Sequence, residues 1–235
     1  MPGRDARKSF RGALEDAVSS GRPLVLDGAM GTELDYRGAD TSGPAWSGLA
    51  PLRDAALLSQ IQTEYAEASA ELLTTCTFRT TRRAFAASGQ REGLWRDAAK
   101  AAVEIARRAA DRKGALVLGS IGPLEDCFRP DLAPDAATAE AEHFALAELL
   151  VEAGVDALWL ETFPCAGEAR AAARAAARAG VGGRTPFAVS LVTREDGSLL
   201  SGEPLAETAR ALAECGALAV GVNCVPTRFV DAALD

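Results

Sequence analysis

Short apolar runs alternate with longer amphipathic stretches along this chain, and that alternation restricts its fold more than any other feature. The runs are Leu24–Leu26, Glu71–Phe78 with its exit, Ala115–Ser120, Asp156–Thr162, Phe187–Leu191 and Leu218–Cys224. Helical periodicity fills the stretches about Ser9–Ser19, Asp54–Ala70, Leu94–Arg112, Asp135–Ala153, Gly167–Ala179 and Glu203–Cys215. A helix between two strands pairs them in parallel through a right-handed crossover. The expected fold is therefore α/β, a (β/α)8 TIM barrel in incomplete form. About six units are legible, whereas a closed barrel takes eight and about 250 residues. No linker divides the chain, so residues 1–235 are expected to be one barrel domain, truncated at its C-terminal end. An open barrel exposes two sheet edges, and a second copy or a partner chain is the expected cover.

Charge and cysteine usage narrow the partners. The net charge is −8 with no basic patch, which argues against nucleic acid and anionic membrane surfaces. No apolar run reaches spanning length, and the N-terminal segment has no apolar core of a secretory signal, so a cytoplasmic location is expected. The five cysteines lack regular spacing and read as reduced thiols.

In a parallel barrel the strand exits converge on one rim, where active sites are built. Here those exits carry Asp27, Cys76, Ser120, Glu161 and Cys224. After Asp27 come Gly28, Gly31 and Thr32, small residues that let the main chain approach a ligand. None of these exits carries a lysine, which disfavours a Schiff-base aldolase. The single histidine, His143, lies within a helix far from any exit and reads as solvated or half-packed, so serine–histidine catalysis is not supported. Trp46, in the long loop Gly28–Pro51, suits either a lid or simple packing; Trp95 and Trp159 read as packing residues. Asp126, Arg129 and Asp131 crowd the loop after the third strand, and Glu203 reads as a helix-start charge.

Asp27-Gly28-Ala29-Met30-Gly31-Thr32, Thr74-Thr75-Cys76-Thr77-Phe78, Gly119-Ser120-Ile121-Gly122-Pro123, Glu161-Thr162 and Gly221-Val222-Asn223-Cys224 occur in the order of the motifs of the homocysteine S-methyltransferase family, which this chain resembles. The resemblance runs from about residue 24 to 224, and the ordered set is more specific than any one motif. It implies a zinc-dependent methyl transfer to the thiol of homocysteine, giving methionine. By match, Asp27 and Glu161 would hold the substrate amino group. Gly28 would line the site with main-chain amides that meet the carboxylate, and Thr75 would line the same pocket. Cys224 would be a zinc ligand. The methyl donor is expected to be small, with S-methylmethionine favoured over betaine and methyltetrahydrofolate.

Two departures stand beside the resemblance. The family's Gly-Gly-Cys-Cys pair, which supplies two further zinc ligands, has no counterpart in this chain, and Cys76 stands where the family usually has asparagine. A fragment of a longer enzyme and a naturally short form both fit that pattern. So does a different class of function, a non-catalytic amino-acid-binding module or subunit without a complete zinc site. Cys76, Cys165 and Cys224 are expected near one rim, though strand exits across a barrel lie too far apart to share an ion at about 2.3 Å. Cys127 and Cys215 have less claim.

Overall fold

The computed structural model describes residues 8–180 and 184–234. In chain order the elements are α1 (Phe10–Ser20), α2 (Met30–Tyr36), α3 (Ala50–Arg53), α4 (Ala55–Glu67), β1 (Leu72–Thr74), α5 (Arg82–Ala87), α6 (Leu94–Lys113), β2 (Leu116–Ile121), α7 (Ala136–Ala153), β3 (Ala157–Phe163), α8 (Ala166–Ala179), β4 (Phe187–Leu191), α9 (Leu205–Glu214), β5 (Val220–Val222) and α10 (Val230–Leu234). The five strands form one parallel sheet in the order β1-β2-β3-β4-β5. Sequential parallel neighbours joined by helices make an arc of a (β/α) barrel, open in the described residues between β5 and β1.

Alternation along each strand builds two cores. Inward-facing Leu72, Leu116, Leu118, Ala157 and Ala188 pack with Phe10 of α1, which plugs the arc at the start of its strands. Outward-facing Val117, Leu158, Leu160, Val189 and Leu191 pack beneath α6, α7 and α8. The facing helix positions are largely alanine, including Ala98, Ala99, Ala106, Ala147, Ala169, Ala172 and Ala176, and small side chains bring helix axes close to the sheet. β2 and β4 are buried along their whole length, whereas all three residues of β5 are only half-buried, as befits an edge.

Helix ends follow the residues that cap them. Ser9 accepts from the Gly12 N–H to start α1, Asp135 accepts from the Ala137 and Thr138 N–H groups to start α7, and Gly21, Gly114 and Gly154 end α1, α6 and α7 in the left-handed conformation.

Three sequence-based expectations are corrected. The first strand, Leu24–Leu26, is reduced to a single bridge from Leu26 to Leu72; Pro23 precedes it, and Val25 and Leu26 remain exposed, so only a short stretch has a sheet neighbour to pair with. The loop Gly28–Pro51 contains α2, a 3-10 turn at Trp46–Leu49 and the start of α3, and the unforeseen α5 follows the second strand exit. His143 is not solvated: it is 1 % exposed, in the stripe Ala139, His143, Leu146, Ala147 and Leu150 that α7 turns inward.

His143 Nε2 lies 3.1 Å from Oε1 of Glu168 on α8, itself 3 % exposed, and the same oxygen accepts the Leu124 N–H at 2.8 Å. Glu168 thus pins the loop after β2 to two helices. Glu168→Ala strands an imidazole nitrogen and a main-chain N–H, a cost of about 1–3 kcal/mol. The expected result is a melting temperature lower by about 2–10 °C in thermal denaturation; an unchanged melting temperature contradicts the tie.

Candidate active site

A cavity of about 530 Å³ opens at the strand exits. Its wall includes Gly28–Thr32, Trp46, Thr74, Thr75, Cys76, Phe78, Ser120, Asp126, Cys127, Phe128, Glu161, Thr162 and Cys224. Ligand sites in α/β folds sit at this end of the sheet, and the volume suits a small molecule.

Glu161 is the half-buried acid of the cavity wall. Loss of hydration lifts its carboxyl to about 7, opposed by a hydrogen bond from the Ser120 hydroxyl. Asp27 lies just behind the wall. Its carboxylate accepts from the Thr74 N–H at 2.8 Å and from the Thr74 hydroxyl at 3.1 Å. Burial raises Asp27 to about 7 as well; the Thr74 bonds oppose the shift and the nearby Glu161 adds to it. Two carboxyls with raised values, each held by one hydroxyl, form an oriented acidic pair that can accept a cation when ionised.

Gly28 lines the cavity and packs its Cα side against Tyr65, whose hydroxyl would stand 2.7 Å from an added Cβ. Thr75 also lines it, but its hydroxyl accepts the Ser120 N–H at 3.0 Å and meets the Thr77 hydroxyl at 2.6 Å. That hydroxyl joins the exits of β1 and β2. Cys224 is exposed and lies in the same wall as Glu161, 3.7 Å from the Thr162 hydroxyl. Partial loss of hydration at its sulfur, with Glu161 nearby, raises the thiol above its ordinary value.

The thiols divide differently from the sequence reading. Cys165 does not line the cavity; it is buried at the N-cap of α8. Cys127, given little claim, does line it, because the loop after β2 turns back over the exits. Cys76 lines it from a fully buried position, with its Sγ 3.3 Å from the Ser47 carbonyl and its thiol pushed up to about 12. Among the described residues no three His, Cys, Asp or Glu side chains stand close enough to hold a metal ion. Cys76, Cys127 and Cys224 all border the cavity without converging, and so do not fit a zinc centre, which takes three or four protein ligands.

Sequence reasoning missed Thr74, Ser120 as the partner of Glu161, and Asn223. Asn223 binds both Thr162 and Cys224. Glu203 also differs from expectation: it accepts from the Ala166 N–H at 3.3 Å and so caps α8 rather than its own helix. Arg129 and Asp131 pair with each other at the surface and leave Asp126 as the acid of that loop on the cavity wall.

Aromatic rings close the opposite side. Trp46 and Phe78 meet edge to face, with centroids 5.9 Å apart. Each ring rests on a glycine: an added Cβ on Gly31 would lie 2.2 Å from Trp46, and one on Gly122 would lie 2.5 Å from Phe78.

Residues 24–235 match a family model described as Homocysteine S-methyltransferase. A homocysteine S-methyltransferase of Escherichia coli is 32% identical over 230 residues, covering 90% of this chain and 72% of that protein. Homocysteine S-methyltransferase YbgG of Bacillus subtilis is 30% identical with the same coverage, 90% and 72%. The crystal structure of the homocysteine methyltransferase MmuM from Escherichia coli in its metallated form superposes with a TM-score of 0.82 at 29% identity, covering 93% of this chain and 80% of that one.

Proposed function

This chain belongs to the homocysteine S-methyltransferase family, and we propose that its cavity binds homocysteine for methyl transfer to the thiol, giving methionine. The observation that carries the reading is the joint presence of the Glu161 carboxyl and the Cys224 thiol in one cavity wall, with Asp27 immediately behind. An ammonium group suits Glu161 and Asp27. Ser120 and Thr74 hold these two acids in place, so the cation meets oriented oxygens without reorganising them. The main-chain N–H groups of Gly28–Thr32 are the donors we assign to the substrate carboxylate, with no side-chain cap competing for them at the start of α2. The substrate sulfur then extends toward Cys224.

S-methylmethionine is the donor we favour. Glu161 and Asp126 give the cavity an acidic lining, and Trp46 and Phe78 offer ring faces and edges to a cationic sulfonium. The guanidinium of Arg79 is turned away to the Glu125 carbonyl at 2.6 Å. In the transfer, the homocysteine thiol gives up its proton to solvent, its sulfur forms a bond to the methyl carbon as the sulfonium–carbon bond breaks, and a second molecule of methionine leaves. The family implies zinc, for which the described residues offer Cys224 by motif but no converging set of ligands. Thiols that do not converge retain zinc poorly, so metal analysis after dialysis is expected to find well under one equivalent per chain; one tightly held zinc per chain contradicts this.

A second reading, an amino-acid-binding module without turnover, is favoured by the missing three-ligand group among the described residues. Titration calorimetry with homocysteine and methionine, alongside a methyl-transfer assay with S-methylmethionine and with betaine, each with and without zinc, separates the two. Zinc-dependent methionine formation supports the enzyme; affinity without product supports the module; no affinity for either amino acid overturns both. We also propose a single barrel domain in the cytoplasm. Among the described residues no helix is long and apolar enough to cross a membrane.

A further inference from the structure

Two residues other than glycine adopt left-handed backbone conformations side by side at the cavity: Thr162 with φ of 67° and Cys224 with φ of 54°. β-Branched residues rarely enter this region, and such strain persists only where the surroundings impose it. Here one side chain bonds to both. Asn223 Oδ1 accepts the Thr162 N–H at 3.0 Å, and its Nδ2 donates to the Thr162 hydroxyl at 2.8 Å and to the Cys224 sulfur at 3.5 Å. The Asn223 main chain is fixed in turn, its N–H donating to the Leu191 carbonyl at the end of β4 at 3.1 Å. Thr162 directly follows Glu161, where the pairing of β3 with β4 breaks register between Leu160 and Phe163. One amide therefore ties the chain next to Glu161 to the thiol across the cavity wall.

We propose that Asn223 is a positioning residue that sets the spacing between the Glu161 carboxyl and the Cys224 thiol, and thereby the length of amino thiol that the cavity accepts. This rests on the reading that Glu161 holds the substrate amino group. With the amino end anchored at Glu161, the wall formed by Cys224 limits how far the other end of the substrate reaches. Homocysteine and cysteine differ by one methylene along that line. A rigid clamp turns the difference into selectivity, whereas a loose one accommodates either chain.

The test compares homocysteine and cysteine binding by titration calorimetry in the wild-type chain and in Asn223→Ala. One methylene is worth roughly tenfold or more in a well-shaped site. The expected result is a preference for homocysteine of about that size in the wild type, falling to within about threefold in the variant. A merely structural role lowers both affinities together and leaves the ratio intact, which overturns the proposal while leaving the proposed function standing. Failure of the wild type to bind either amino thiol overturns the proposed function, and this inference with it. A second measurement needs no variant. Alkylation of Cys224 by N-ethylmaleimide, read by peptide mass spectrometry, is compared under saturating methionine and under saturating S-methylcysteine, neither of which carries a free thiol. Methionine is expected to slow the modification and S-methylcysteine to leave it fast; equal protection by both overturns the proposal.

Discussion

Glu161→Gln is expected to weaken homocysteine binding by about a hundredfold or more and, at the same time, to stabilise the free protein at neutral and higher pH. The first effect follows from removing the negative end of a buried, charge-assisted hydrogen bond to an ammonium, worth about 2–3 kcal/mol or more in a dehydrated site. The second follows from the direction of the carboxyl's shift. In the folded chain Glu161 is raised to about 7, with burial as the cause. Between about pH 4.5 and 7 the folded protein therefore keeps a proton that the unfolded chain has released, and its stability falls as pH rises through that window. Glutamine has no proton to release, so the variant escapes this loss. Above pH 7 its melting temperature is expected to exceed that of the wild type by a few degrees, with the gap closing toward pH 4.5. Asp27 is raised to about 7 for the same main reason, so both acids ionise over the same range. Homocysteine affinity in the wild type is then expected to rise between pH 6 and 8 as the pair ionises, and calorimetry across that range measures it. Flat affinity together with unchanged stability of the variant contradicts the assignment.

Gly31→Ala carries the second large effect. Its new Cβ would stand 2.2 Å from Trp46, a distance that no relaxation of the methyl itself relieves. The indole has to move, and it bears edge-on against Phe78, which in turn rests on Gly122. Overpacking at such a contact costs about 1–3 kcal/mol. Displacing Trp46 also opens the side of the cavity away from the acid pair. The expected result is a lower melting temperature together with a KM for the methyl donor raised by about tenfold. Gly167→Ala serves as the contrast: no atom lies within 4 Å of its added Cβ, in the first turn of α8, and it is expected to be neutral or slightly stabilising. Equal effects of the two substitutions on donor KM contradict a role for Trp46 beside the donor.

Much of this arrangement was legible in the chain because it rests on periodicity and local punctuation. β4 falls at Phe187–Leu191 as expected, and α7 and α8 lie within a residue or so of their expected bounds, since a continuous apolar run, an Asp135 cap and a terminal Gly154 are local signals. The exits of β2 and β3 bring Ser120 and Glu161 together for the same reason. What escaped depends on contacts between distant segments. The stripe of α7 includes His143, but its partner Glu168 sits on the next helix, and no local signal links them. Cys127 and Cys165 exchange roles because the path of the loop after β2 is set by Glu168 and Arg79, not by loop composition. Asn223 reads as an ordinary strand-exit residue until Thr162, 61 positions earlier, is seen beside it. The aromatic seats on Gly31 and Gly122 give those two glycines a packing reason beyond turn formation.

A crystal structure of the chain with homocysteine bound tests the central claim most directly. The account predicts the amino nitrogen within hydrogen-bonding distance of the Glu161 and Asp27 carboxylates and the sulfur directed toward Cys224. Homocysteine seated elsewhere, or lying in this cavity with its sulfur at Glu161 and its amino group toward Cys224, would contradict it.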